Sequence, residues 1–168
     1  MVPPVVQIVG FKNSGKTTLI TRLLHLFNDM NLKVAVIKHD IHGFEVDREG
    51  TDTYLFRETG AAAAAIVSPW RTAIIEEQET PLGELIEHFA AYNLILVEGY
   101  KQEHYPKLVL LRGTEDITLL EQSSHICAIV QSEVHEKGLL VEQAYISLPC
   151  FHRNEVEQIA KFITQTFL

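Results

Sequence analysis

This chain carries the segment Gly10-Phe11-Lys12-Asn13-Ser14-Gly15-Lys16-Thr17, which matches the phosphate-binding pattern G-x-x-x-x-G-K-[ST]. An apolar run at residues 5–9 precedes the segment, and a run with helical periodicity begins at Thr18. The pattern requires this strand-loop-helix context, because the backbone N–H groups of the loop and the positive end of the helix dipole solvate phosphate together. The segment therefore predicts a site for the phosphates of a nucleotide.

The pattern also predicts what single side chains do. Lys16 would place a mobile cation on the outer phosphates, and the Thr17 hydroxyl would take a ligand position on magnesium. We expect nucleotide contacts from the loop as a whole, that is from Gly10, Phe11, Lys12, Asn13, Ser14, Gly15, Lys16 and Thr17.

Length and composition limit the possible classes of protein. With 168 residues and 46% hydrophobic content, one domain spanning residues 1–168 can bury an adequate core. The net charge of -8 argues against nonspecific nucleic-acid binding, because the chain has no basic excess. Cys127 and Cys150 lack a C-x-x-C spacing and are predicted to be reduced thiols of a cytoplasmic protein. The amino end has no charged leader, and no apolar stretch approaches about 18 residues, so we expect neither export nor membrane insertion.

Apolar, β-branched runs alternate with runs of helical period along the chain. This alternation predicts an α/β fold of the P-loop NTPase type, with a mostly parallel sheet and helices on both faces. Helices are predicted after the phosphate loop, after the caps Thr51 and Asp52, after Thr80-Pro81, and from a capping box formed by Asn154 and Glu157. Buried strands are predicted at residues 5–9, 33–38, 62–67, 72–76, 94–98, 107–111 and 126–130, with a weaker candidate at 144–148.

The apolar run at residues 94–98 ends in a carboxylate, Glu98, and Gly99 follows. A nucleotide site needs an acidic group at the carboxyl end of a strand beside the phosphate loop, where it holds hydrated magnesium. Glu98 is therefore predicted to be the second magnesium residue beside Thr17.

A polar loop follows the strand at residues 33–38. Ligands collect at the carboxyl ends of strands in open α/β sheets, so this loop should face the nucleotide. Asp40 is a candidate for orienting magnesium or the attacking water, and Lys38 and Lys101 are expected to complement anionic groups. His39 and His42 also permit a transition-metal hypothesis, although no nearby cysteine completes a ligand set.

Three segments together resemble the molybdopterin-guanine dinucleotide biosynthesis adaptor family, MobB. They are the phosphate loop through Thr18, the Lys38-His39-x-x-His42-x-Phe44 stretch with Asp47, Gly50 and Asp52 downstream, and Val97-Glu98-Gly99-Tyr100-Lys101. The resemblance covers about the first two thirds of the chain. It implies a GTP-binding protein with slow GTPase activity, a homodimer, and an accessory to the guanylyltransferase that joins GMP to molybdopterin, with molybdopterin itself as a candidate contact.

The resemblance also implies roles for residues. Phosphates and magnesium would be held by Asn13, Gly15, Lys16, Thr17 and Thr18, with Glu98 as the acidic site and Asp40 as a metal or water orienter. Residues 47–52 become a candidate switch or dimer contact. The preference for GTP rests on the resemblance, because the chain has no Asn-Lys-x-Asp stretch, and Glu133 is only a hypothetical acceptor for guanine.

Two other functions stay open from the residues alone. A metallochaperone GTPase for nickel or zinc is permitted by His39 and His42, although the chain has no histidine-rich tail. A P-loop kinase for small molecules would need an arginine-rich lid, and no concentrated arginine segment follows Glu98. The sequence places no arginine at the phosphates, so turnover should be slow unless another subunit or a partner supplies one. The arginines outside the loop include Arg48, Arg57, Arg71 and Arg112.

Overall fold

The structure is a computed structural model that describes residues 2–132, 145 and 147–168, and the chain divides into two compact units. One unit comprises Met1–His39 and Ile86–Leu168, and the other comprises Asp40–Leu85. That the whole chain behaves as one domain stays a prediction. The elements in chain order are β1 Val5–Gly10, α1 Lys16–Asp29, β2 Val34–Lys38, α2 Asp52–Glu58, β3 Ala63–Val67, β4 Thr72–Glu76, α3 Leu82–His88, β5 Leu94–Glu98, β6 Lys107–Leu111, α4 Thr118–Glu121, β7 Ile126–Gln131, β8 Cys150–His152 and α5 Val156–Phe167.

Within the described residues of the first unit, six strands form one parallel sheet in the order β2-β5-β1-β6-β7-β8. Every residue of β1, β5 and β6 is buried, as expected of central strands covered on both faces. This burial explains why these strands appear in the sequence as continuous apolar runs. The predicted α/β fold with a parallel sheet is confirmed.

The core lies on both faces of this sheet. On one face, Ile8 and Leu96 belong to a cluster that includes α1 and α5. On the other face, Val9 and Val109 cluster with Leu119 of α4. The apolar stripe of α1 is buried at Leu19, Ile20, Leu23 and Phe27, whereas Met30, just past the helix end, is 50% exposed.

The strand register brings polar residues to the carboxyl edge of the sheet. Ile8 of β1 is level with Glu98 of β5, and Lys38 of β2 is level with the same glutamate. The phosphate loop continues from β1 at this edge, so residues far apart in the sequence gather around it.

The second unit corrects one prediction. Strands exist close to residues 62–67 and at 72–76, but β3 and β4 pair with each other as an antiparallel hairpin outside the parallel sheet. Most of their residues are exposed rather than buried. An apolar run marks a strand without telling which sheet the strand joins, and here the turn at Pro69 folds β4 back on β3. The hairpin is preceded by α2, whose cap Thr51 accepts a hydrogen bond from Tyr54 N as predicted.

The carboxyl end also differs from expectation. Positions 144 and 146 of the weak strand candidate lie outside the described residues, and the strand of this region is β8. Helix α5 has Glu155 as its cap, not Asn154, because the Asn154 N–H donates to His152 Nδ1 and its Oδ1 accepts from Arg22. Thr80, shortly before α3, donates a hydrogen bond from its hydroxyl to Glu76 Oε2 at 3.0 Å.

Helix α1, the longest in the described residues, has 14 residues. None of the helices in the described part of the chain is both long and apolar enough for a bilayer crossing.

Candidate functional site

The phosphate loop has a backbone that only particular residues tolerate. Gly15 caps α1 at φ 91°, in the left-handed region, and no side chain of the described residues caps the helix. The N–H groups of the first turn are therefore left for a ligand. At Gly10, a Cβ atom would lie 2.3 Å from Ser14 Oγ and 3.2 Å from Leu110 Cβ, so a side chain there would displace the loop.

Lys16 folds back over this loop. Its Nζ donates to Gly10 O at 3.1 Å and to Phe11 O at 2.9 Å. Burial lowers the pKa of Lys16, Glu98 opposes that shift, and the positive charges of Lys101 and Lys38 lower the pKa further. Lys16 thus lies among other ammonium groups, an arrangement that an anionic ligand would stabilise.

Thr17 and Glu98 meet although 81 residues separate them. The Thr17 hydroxyl donates to the Glu98 carboxylate, with distances of 3.2 Å to Oε2 and 3.4 Å to Oε1. A hydroxyl and a carboxylate supply the oxygen ligands that Mg²⁺ prefers, so the two residues fit the predicted magnesium position.

A cavity of about 440 Å³ lies at this edge of the sheet. Its lining combines the tip of the phosphate loop, the first residues of α1 and the last residues of β2 and β5. The other predicted loop residues, Gly10, Phe11 and Ser14, shape the loop behind it, and the Ser14 hydroxyl is buried without a hydrogen-bond partner among the described residues. The lining residues are Lys12, Asn13, Gly15, Lys16, Thr17, Thr18, Lys38 and Glu98.

The predicted site residues that follow β2 belong to different units of the chain. The His39 ring stacks on Tyr100 with centroids 4.3 Å apart, in the same unit as the cavity. Asp40 belongs to the second unit, where its carboxylate accepts a hydrogen bond from His42 N at 3.0 Å. The catalytic role of Asp40 stays a prediction. Across the described residues, no three His, Cys, Asp or Glu side chains gather into a candidate metal site.

One buried polar residue at this edge was missed by the sequence analysis. Gln7 is fully buried in β1, and its Nε2 donates to Gly99 O at 3.1 Å and to Tyr100 O at 2.7 Å. Its Oε1 accepts from Tyr105 N at 3.3 Å. Gln7 thereby fixes the loop that follows Glu98. A glutamine inside an otherwise apolar strand was the available signal, because buried polar groups need partners.

Arg112 also lies at the phosphate loop, which the sequence alone did not show. Its Nη1 is 3.5 Å from Lys12 O, and its guanidinium carbon is 5.8 Å from the centroid of Phe11. Its Nε and Nη2 donate to the fully buried Asp116 at 2.8 and 2.6 Å. These hydrogen bonds raise the pKa of Arg112 and lower that of Asp116, so the pair is ionised and rigid.

The other arginines that the sequence analysis named, Arg48, Arg57 and Arg71, belong to the second unit. Arg57 is the best held of them, with hydrogen bonds to Glu45 and Glu77 and with Asp47 Oδ2 3.6 Å from its Nη1. The Arg57 hydrogen bond, aided by the Asp47 N–H, lowers the pKa of Glu45 to about 2. These contacts organise the predicted switch or dimer stretch around residues 47–52.

The sequence that forms this site matches a known protein family. Residues 5–132 match the family model described as molybdopterin guanine dinucleotide synthesis protein B, MobB. The chain belongs to the MobB family. The predicted resemblance is confirmed.

Relatives of this MobB-family protein match over nearly its whole length. A probable molybdopterin-guanine dinucleotide biosynthesis adapter protein of Bacillus subtilis is 33% identical over 90% of this chain and 87% of its own. The molybdopterin-guanine dinucleotide biosynthesis adapter protein of Haemophilus influenzae is 32% identical over 95% of this chain and 87% of its own. The crystal structure of Bacillus subtilis MobB superposes with a TM-score of 0.77, at 32% identity over 95% of this chain and 97% of that one.

Proposed function

We propose that this MobB-family protein binds GTP with Mg²⁺ and acts as an adaptor in the synthesis of molybdopterin guanine dinucleotide. One observation supports nucleotide binding most directly. Lys16 and Thr17, at the end of the phosphate loop, line the same cavity as Glu98, the carboxylate at the end of β5. The family description and the names of the relatives support the pathway.

Mg²⁺ would be held by Thr17 and Glu98, whose oxygens already lie within hydrogen-bonding distance of each other. Held there, Mg²⁺ would neutralise negative charge on the phosphates. The chain itself supplies the uncapped first turn of α1 for the phosphates, and Lys16 as a cation that can exchange its bonds to loop carbonyls for bonds to phosphate.

We infer that GTP hydrolysis by this protein is slow. Arg112 lies beside the loop, but its backbone N–H, Nε and Nη2 all donate to Asp116, so its guanidinium is committed to a structural pair. An arginine that contacts the transferred phosphoryl group contributes roughly 10³ to 10⁵ in rate. A second subunit or the partner enzyme would supply that arginine, with Asp40 as the candidate that orients water.

The preference for GTP over ATP is proposed from family membership. Glu133, the hypothetical acceptor for the guanine edge, lies outside the described residues. The partner we propose is the guanylyltransferase that joins GMP to molybdopterin, with molybdopterin as a further candidate contact. The free Cys127 and Cys150 fit a reducing compartment and support a cytoplasmic location.

We also propose that the protein works as a homodimer. The β3–β4 hairpin exposes large apolar side chains, with Val67 72%, Trp70 91% and Ile74 58% exposed. A two-stranded hairpin is marginally stable by itself, and an exposed apolar cluster of this kind is typical of an interaction surface. A second copy of the hairpin is the partner that family membership suggests.

Lys16→Ala tests the nucleotide site. We expect this variant to bind GTP in the presence of Mg²⁺ about ten- to a hundredfold more weakly than the parent, because hydrogen bonds to charged groups contribute roughly 1.5–3 kcal/mol. Isothermal titration calorimetry measures the change. Lys33→Ala, which removes an exposed lysine just before β2, is the matched control and should bind like the parent.

The same two variants test the adaptor role. The parent and Lys33→Ala should raise the yield of the purified guanylyltransferase acting on molybdopterin, and Lys16→Ala should not. If Lys16→Ala and the parent bind GTP with equal affinity, the assignment of the nucleotide site to the phosphate loop is wrong. Tight GTP binding without any effect on the yield contradicts the adaptor role and leaves the site intact.

A further inference from the structure

Lys38 lies at the cavity, and its side chain has no hydrogen bond or salt bridge to any other described residue. It is the last residue of β2, it is level with Glu98 across the strand pair, and it lines the same cavity as Lys16 and Thr17. Its side chain is exposed, and it forms no salt bridge within the described residues. Lys16, by contrast, already donates to two loop carbonyls.

The charges around the cavity are unbalanced. Among the described residues that line it, Lys12, Lys16 and Lys38 carry ammonium groups and Glu98 is the one carboxylate. That carboxylate already accepts from the Thr17 hydroxyl. Like charges in one cavity repel one another, so the arrangement favours a ligand with several negative charges.

The strand order indicates which part of a triphosphate Lys38 would meet. If Thr17 and Glu98 hold Mg²⁺, the metal would neutralise charge on the outer phosphates of the nucleotide, and the terminal phosphate would lie beside these two residues. Glu98 ends β5, and β2 is the next strand outward from the phosphate loop. Lys38 therefore supplies a cation on the far side of the magnesium position from the loop.

We infer that Lys38 is a specificity-determining residue that contacts the terminal phosphate and makes the site prefer a nucleoside triphosphate to a diphosphate. This inference rests on the proposed nucleotide binding and adds to it which state of the nucleotide the site retains. An ammonium–phosphate contact of this kind is charge-assisted and exists only when the third phosphate is present.

The test compares the parent with Lys38→Met, Lys38→Arg and the control Lys33→Met. Lys33 is also exposed and lies just before β2, at the other end of that strand from Lys38, so its replacement removes an equal charge away from the cavity. Calorimetry with Mg²⁺ gives the affinities for GTP, GDP, inorganic tripolyphosphate and pyrophosphate. The inorganic pair makes the result independent of any base preference.

In Lys38→Met, we expect affinity for GTP and tripolyphosphate to fall about tenfold or more, and affinity for GDP and pyrophosphate to change less than about twofold. Lys38→Arg should keep most of the preference for triphosphates, and Lys33→Met should match the parent. An equal loss for triphosphates and diphosphates, or no loss, overturns the inference while nucleotide binding stands. A parent that binds none of the four ligands overturns the proposed function as well.

Discussion

At the scale of single residues, one buried amide holds the loop that carries Tyr100 and Lys101. Gln7 satisfies the carbonyls of Gly99 and Tyr100 and accepts from Tyr105 N, with its side chain fully buried. Tyr100 has φ 51° and Gly99 has φ 95°, so this turn adopts a backbone that needs support. The position of Lys101, whose Nζ lies 4.4 Å from the centroid of Phe11, depends on that support.

We expect Gln7→Met to lower the free energy of unfolding by about 1–3 kcal/mol, because the near-isosteric side chain no longer donates to Gly99 O and no longer accepts from Tyr105 N. Urea denaturation measures the change. Gln102→Met makes the same substitution at an exposed position of the loop that Gln7 holds, and it should cost less than about 0.5 kcal/mol. If Gln7→Met and the parent are equally stable, the loop that follows Glu98 keeps its conformation without the hydrogen bonds of Gln7.

Single residues were predictable where the chemistry is local. Lys16 and Thr17 follow from an eight-residue pattern, and Glu98 follows from a carboxylate at the end of an apolar run. Gln7 and Tyr100 lie 93 positions apart, and Arg112 meets Lys12 from 100 positions away. Such contacts depend on the order of the strands in the sheet, and this order cannot be derived from a single sequence.

At the scale of elements, apolar runs located strands well but did not decide how the strands pair. The runs at residues 94–98 and 107–111 correspond to β5 and β6 residue for residue. The run at 62–67 is equally apolar, yet it forms an exposed hairpin because an antiparallel return is available at Pro69 and Trp70. Small side chains at Ala63, Ala64 and Ala65 give this strand little apolar area to bury.

Strand β7 carries a thiol whose surroundings suppress its reactivity. Burial raises the pKa of Cys127 to about 11, and its Sγ donates to Lys107 O at 3.2 Å. A raised pKa means that the folded state favours the neutral thiol. The thiolate, which is the nucleophile, therefore forms in the native protein only as the pH rises toward that value.

In a Cys150→Ser background, we expect Cys127 to react with iodoacetamide at pH 8 roughly a hundredfold more slowly in the folded protein than in urea, where the thiol pKa is about 8.5. Between pH 8 and 10, the folded protein should gain about tenfold in rate per pH unit, whereas the unfolded protein should level off. Matching rates in both states at pH 8 would contradict the buried thiol.

At the scale of the whole molecule, the charge of the cavity is opposite in sign to the net charge of the chain. The chain has a net charge of -8, yet the cavity at the phosphate loop collects Lys12, Lys16 and Lys38 around one carboxylate. Binding of a polyanion therefore depends on where a few cations are placed, not on the total. That the protein does not bind nucleic acid nonspecifically stays a prediction, and it rests on the excess of 22 acidic over 14 basic residues.

The apolar face of the β3–β4 hairpin is the proposed contact between two copies of the chain. Val67 and Ile74 lie on the same face of the hairpin, because their strand pairing is Val67↔Thr72 and Ala65↔Ile74 and alternate residues share a face. If this face joins two copies, Ile74→Lys buries like charges against each other across the two-fold axis and should shift the protein from dimer to monomer at micromolar concentration. Sedimentation velocity measures the shift.

Met30→Lys is the control. It adds the same charge at a half-exposed position beside α1, and the variant should sediment with the same oligomeric mass as the parent. A parent that sediments as a monomer, or an Ile74→Lys variant that stays dimeric, would place the subunit contact elsewhere or remove it.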